Sequence, residues 1–67
     1  MRIDDLRALA AYHRETAECN RKLAEIMNAE GAKSFLLKAT THAEWAQKLD
    51  EMAAAFAVIA ELSQPSE

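Results

Sequence analysis

The sequence predicts an all-α fold in which an antiparallel two-helix hairpin dimerises into a four-helix bundle. The chain has 67 residues, of which one is glycine, one is proline and fifteen are alanine. That composition suits helices and leaves little material for strands or turns. Alanines also recur every seven residues on both sides of Gly31, which is the repeat that close helix pairing requires. These alanines are Ala10, Ala17 and Ala24, then Ala39, Ala46, Ala53 and Ala60.

The first helix is predicted over about residues 4–28. It begins at Asp4 or Asp5, because either carboxylate can cap free backbone N–H groups and favours the positive end of the helix dipole. Residues 29–33 are the predicted connector, and Gly31 is expected to adopt the left-handed conformation just past the helix end.

The second helix is predicted over about residues 34–62. An alternative start at Thr41 stays open, because Thr41 and Glu44 have the spacing of a capping box. Residues 63–67 carry no apolar anchor and are predicted to form a disordered tail. The helical hairpin, residues 1–62, is then the single domain.

The apolar residues predict the dimer. On each helix they cover an arc of about 200°, roughly twice what a helix packed on one neighbour needs. Two helices alone enclose no core, so a second copy is predicted to cover the remaining apolar surface as a homodimer. The predicted core and dimer residues are Leu9, Thr16, Asn20, Leu23, His42, Trp45, Leu49, Met52, Phe56 and Ile59.

Polar residues interrupt the apolar arc of both helices. Thr16, Asn20 and His42 are predicted to form a hydrogen-bonded layer that fixes the register, with Asn20 opposite His42. No metal ion or cofactor is predicted, because the Glu-x-x-His motif of ferritin-like carboxylate sites is absent. A metal-binding ferritin-like protein that uses His13, His42 and nearby carboxylates stays open as an alternative.

Charge and composition narrow the classes of function. The net charge is −3 and no basic patch is present, which argues against a nucleic-acid partner. The longest apolar run, residues 52–60, is too short to span a membrane. Cys19 is the only cysteine and residues 1–10 do not have the pattern of a signal peptide, so we expect a cytoplasmic protein. No glycine loop, nucleophile elbow or pair of inward carboxylates points to an enzyme.

A docking surface is predicted near the connector. Phe35, Leu36 and Leu37 place apolar side chains on nearly every side of the helix start, so some of them require a covering partner. Lys38 falls within the apolar arc, where its stem can cover apolar surface. Tyr12 lies at the edge of the arc and suits an interface anchor. These five residues are the predicted partner-binding set.

One pattern extends through both helices between residues 10 and 53. It consists of Tyr12-x3-Thr16-Ala17-x-Cys19-x3-Leu23-Ala24, Phe35-Leu36-Leu37-x-Ala39 and Trp45-x3-Leu49. In this pattern the chain resembles small helical-hairpin proteins that are common in proteobacteria, which implies the same hairpin fold. Their usual Asp-Pro before the second helix is absent here. They have no established activity, so the resemblance implies no functional residue.

In size and layout the chain also resembles small phage-encoded anti-activator or inhibitor proteins, which are dimeric hairpins that bind a host protein. The predicted function is therefore a protein–protein interaction module, such as a phage or mobile-element regulator that binds and occludes an unidentified host protein. Besides the metal-binding alternative, a structural assembly subunit stays open.

Overall fold

Two α-helices pack against each other as an antiparallel hairpin in a computed structural model that describes residues 2–63. Helix α1 comprises Ile3–Glu25 and helix α2 comprises Ala29–Ser63. The predicted all-helical hairpin is confirmed. Of the predicted disordered tail, Ser63 is the last residue of α2, and residues 64–67 lie outside the described part of the chain.

Helix α1 begins one residue before the predicted Asp4. The backbone N–H of Arg2 donates a hydrogen bond to the Asp5 carboxylate, with 3.2 Å between nitrogen and oxygen. Asp5 therefore acts from the third helical position, reaching back to the residue that precedes the helix. Asp4 and Asp5 also place two negative charges in the first turn, where the helix dipole favours them.

The predicted connector at residues 29–33 is wrong, because the chain turns earlier, at residues 26–28. The side-chain oxygen of Asn28 accepts the N–H of Gly31 at 2.9 Å, so Asn28 caps α2 in the position that asparagine favours. Gly31 itself is helical and does not have a positive φ. A Cβ there would lie 2.8 Å from the Met27 Cε atom, the flexible end of an exposed side chain that can move aside.

Helix α2 is one continuous helix, as preferred from the sequence, and the alternative start at Thr41 is wrong. The Thr41 hydroxyl donates to the backbone carbonyl of Leu37 at 3.0 Å, and Thr40 bonds to Leu36 in the same way. Both threonines thus bond back into the preceding turn of the helix, which a capping residue at a helix start cannot do.

The helices meet along an alanine seam. Six of the seven alanines in the predicted seven-residue rows are buried, and the last, Ala60, is exposed. Alanine side chains let two backbones approach more closely than leucine side chains do. The buried apolar residues of the described chain are Leu6, Ala10, Ala17, Ala24, Ala39, Ala46 and Ala53.

The larger predicted core residues do not lie in this seam. Alanine fills most of the narrow space between the two helices, so these larger side chains flank the seam and remain 37–55% exposed in the hairpin. Those residues are Leu9, Leu23, Trp45, Met52, Phe56 and Ile59. Of the remaining predicted core set, Asn20 is buried, and Thr16, His42 and Leu49 are half-buried.

Helix α2 is much longer than α1, with 35 residues against 23. Ile3, the first residue of α1, lines the same surface depression as Ala57 of α2. The last turns of α2 therefore extend past the start of α1 without a neighbour. Val58, Ile59 and Leu62 in this overhang are 54%, 55% and 81% exposed.

Candidate functional site

The structure brings together the only two histidines of the chain, which are 29 residues apart. His13 lies in the middle of α1 and His42 lies in α2, both half-buried at one edge of the alanine seam. Their Nδ1 atoms are 2.7 Å apart. This distance is that of a hydrogen bond, so one Nδ1 carries a proton and donates it to the lone pair of the other.

The two imidazole rings meet at their edges. Their centroids are 5.0 Å apart and their planes differ by 28°. The centroid distance is about equal to the 2.7 Å between the Nδ1 atoms plus the distance from centroid to Nδ1 in each ring. Such a sum is reached only when the two centroids and the two Nδ1 atoms lie nearly on one line. The rings therefore lie almost end to end, each Nδ1 directed at the other, and are not stacked face to face.

Two aromatic rings surround the histidine pair. The Trp45 ring centroid lies 5.2 Å from that of His13 and 5.4 Å from that of His42, in edge-to-face contact with both. The Tyr12 ring packs edge to face on His13 at 5.3 Å. Such contacts restrict the orientation of the imidazoles and hold the pair in a largely apolar environment.

The same side of the hairpin carries a group of exposed large apolar residues from both helices. His13 contacts both Tyr12 of α1 and Trp45 of α2, so this flank of α1 adjoins that flank of α2. From Tyr12 and Trp45, further residues at three-, four- and seven-residue spacings continue this surface along each helix. We define the apolar face by Leu9, Tyr12, Leu23, Trp45, Met52 and Phe56, which are 37–58% exposed.

The opposite side of the seam is a charged groove. Arg14 of α1 forms a salt bridge across it with Asp50 of α2. Arg21 and Glu18 pair along α1 at 2.5 Å. The hydrogen bond from Arg21, together with its charge, lowers the pKa of the Glu18 carboxyl. The hairpin therefore has one apolar and one charged side. The groove is lined by Arg14, Ala17, Glu18, Arg21, Ala43, Ala46, Gln47, Asp50, Glu51 and Ala54.

The predicted hydrogen-bonded layer of Thr16, Asn20 and His42 does not form. The Thr16 hydroxyl donates to the carbonyl of Tyr12, one turn back, as expected for threonine in a helix. The Asn20 amide donates to the carbonyl of Thr16 at 2.8 Å. His42 instead meets His13, because the earlier connector shifts the register of α2 relative to α1.

The histidine pair was missed because the connector was placed at Gly31. The signal that could have found it is the segment Asn28-Ala29-Glu30, in which a favoured N-cap residue is followed by an acidic residue in the first turn. A turn at that point brings residue 13 of α1 close to residue 42 of α2.

The predicted partner-binding residues fall into two places. Tyr12 belongs to the aromatic cluster around His13. Leu36 and Leu37 lie in the second and third turns of α2 and are 48% and 69% exposed. Phe35 is half-buried, and the Lys38 ammonium lies 5.1 Å from the centroid of its ring, in a cation–π contact. Whether these residues bind a partner stays a prediction.

Other chemistry is sparse in the part of the chain that the structure describes. Within residues 2–63, no three or more histidine, cysteine, aspartate or glutamate side chains converge as metal ligands. The Cys19 thiol is exposed. Over the same range, neither helix combines the length and the hydrophobicity that crossing a membrane requires.

The fold and site define a two-helix hairpin with an alanine seam, a histidine pair and one apolar face. Comparison of the chain with protein-family models, curated proteins and solved structures finds no match. The resemblances drawn from the sequence therefore stay predictions.

Proposed function

We propose that the chain functions by protein–protein association, without catalysis, and that a second copy is its first partner. The observation that carries the proposal is the apolar face, which leaves Trp45, Met52 and Phe56 about half exposed on one side of the hairpin. Soluble monomers seldom expose contiguous apolar surface of this kind. Two hairpins that pack these faces together form a four-helix bundle, in which the large side chains become the core.

The arrangement of the face suits a twofold axis. Trp45 lies next to the midpoint of α2, which comprises Ala29–Ser63. An axis through this midpoint brings Trp45 and Tyr12 close to their equivalents in the second copy, at the centre of the interface. Tryptophan and tyrosine near the centre of an interface contribute most to binding energy. The second copy also offers a neighbour to the overhang, where Leu62 is 81% exposed.

Sedimentation equilibrium of the untagged protein, from nanomolar to about 100 µM, tests the proposal. We expect a monomer–dimer equilibrium that reaches the dimer in the low micromolar range or below. A compact monomer that unfolds cooperatively and stays monomeric throughout that range would contradict it, because such a molecule tolerates its exposed apolar face in water.

We also propose that a different protein binds at Leu36 and Leu37. Both are exposed near the connector, and Leu36 shares a row with Ala43 and Ala54 of the charged groove, away from the apolar face. The dimer therefore leaves this surface available. Two finer roles predicted from the sequence stay predictions. One is a phage or mobile-element regulator that occludes a host protein, and the other is a structural assembly subunit.

Replacing Leu36 and Leu37 together by serine tests the second surface. The double variant is expected to dimerise normally and to lose a partner that the unaltered protein captures. A variant with serine at Glu44 and Lys48, an exposed pair elsewhere on α2, is the matched control and should keep the partner. Equal capture by both variants would place the partner surface elsewhere.

A further inference from the structure

We propose that His13 and His42 form a two-ligand site for a divalent transition-metal ion, which links α1 to α2. The two rings come from different helices, and their Nδ1 atoms are 2.7 Å apart. Imidazole nitrogen is a common ligand of zinc, copper and nickel. The inference does not depend on dimerisation, since both ligands belong to one chain.

The two nitrogens are already nearly as close as two ligands of one ion. Two nitrogens bound at about 2.0 Å from a metal lie about 2.8 Å apart at a right angle and about 3.3 Å apart at a tetrahedral angle. The hydrogen-bonded pair, at 2.7 Å, needs only a small separation of the two Nδ1 atoms to reach either geometry. Cu²⁺ and Ni²⁺ accept ligands at right angles in square-planar or tetragonal sites, whereas structural Zn²⁺ prefers the tetrahedron.

The ion replaces the proton that the two nitrogens share. In the hydrogen-bonded pair the Nδ1 lone pair of one ring is directed at the Nδ1 proton of the other. When a metal binds, each ring turns about its χ2 torsion, a soft degree of freedom, until both lone pairs converge on the ion. The ring that carried its proton on Nδ1 loses it to water and takes up a proton at Nε2, so that both imidazoles are neutral and both Nδ1 lone pairs are free for the ion.

Water completes the coordination. Within residues 2–63 no further histidine, cysteine or carboxylate converges with the pair on one point. Both histidines are half-buried, so their outer side faces solvent. Trp45 contacts both rings and limits how far they can separate, which favours a chelate over two independently bound imidazoles.

Ni²⁺, which imidazole nitrogen binds well, is the probe for the experiment. The protein is prepared without a histidine tag and with Cys19→Ser, so that His13 and His42 are the only imidazoles and no thiol competes. Calorimetric titration is expected to show one Ni²⁺ per chain at micromolar affinity, and saturating Ni²⁺ is expected to raise the thermal unfolding midpoint. Mg²⁺, which prefers oxygen ligands, should have no effect.

The histidine variants decide the assignment. His13→Ala and His42→Ala should each lower the Ni²⁺ affinity at least tenfold and abolish the shift in midpoint. His42→Gln, which keeps a polar side chain at the seam, is the second variant if alanine there reduces the helical circular dichroism signal. Undiminished Ni²⁺ binding in folded variants that lack either histidine, or no binding by the Cys19→Ser protein below millimolar Ni²⁺, would overturn the inference.

Discussion

Replacing Trp45 by alanine is the sharpest test of the proposed dimer. The side chain is 49% exposed in the hairpin and lies at the centre of the apolar face. A tryptophan side chain buries up to about 250 Å², so about 100 Å² remains for a second copy to cover. At about 25 cal/mol per Å², this area contributes about 2.5 kcal/mol per chain, and about 5 kcal/mol in a symmetric dimer.

We therefore expect the dimer dissociation constant of Trp45→Ala to rise by up to about 4000-fold, and by about 60-fold if only half of that area is buried in the dimer. Sedimentation equilibrium measures this dissociation constant. Interference optics are needed, because the variant lacks the only tryptophan of the chain. Alanine is the best helix former, so helix propensity does not disfavour the substituted position.

Leu36→Ala is the matched control. Leu36 is 48% exposed, almost the same fraction as Trp45, but it lies on the side of the charged groove. Its substitution should change the dissociation constant by no more than about twofold, as for a surface position. Equal weakening by both variants, or no weakening by Trp45→Ala, would refute the argument that the apolar face forms the dimer interface.

Three further predictions concern the hairpin itself. Ala46→Leu should destabilise the fold by about 1–3 kcal/mol in urea unfolding, because Ala46 is 2% exposed in the seam, whereas the same change at the exposed Ala55 should have little effect. Asn28→Ala should lower stability by about 1 kcal/mol through loss of the α2 cap, and Asn28→Ser should restore most of it. The thermal unfolding midpoint should rise with protein concentration over the range in which the dimer forms, and a constant midpoint would contradict coupled folding and association.

The sequence was sufficient for the fold class and for the alanine seam, because both depend on spacing along a helix. Rows such as Ala10, Ala17 and Ala24 identify the paired surfaces whatever the exact turn. The turn itself was mispredicted, since glycine suits a left-handed cap but also occurs within helices. The Asn28 cap, whose side chain accepts the Gly31 N–H, places Gly31 inside α2.

That error carried over to the candidate site. Moving the turn by a few residues slides one helix along the other, at about 1.5 Å per residue, and thereby changes every cross-helix partner. His42 was expected beside Asn20 and instead meets His13. That the alanine rows line the seam was predictable, because the helical period sets which residues share a side of each helix. Which of them touch each other was not, because the register depends on a single cap.

The alanine seam also explains why association is the natural role of this fold. Of the buried apolar residues in the described chain, only Leu6 is large, and the others are alanines. Each buried alanine methyl contributes little, whereas ordering each residue costs roughly 1–2 kcal/mol of conformational entropy. A hairpin held by such a seam is marginal alone. The larger side chains remain on the outside, so most of the hydrophobic stabilisation available to this sequence is realised only when another polypeptide covers them.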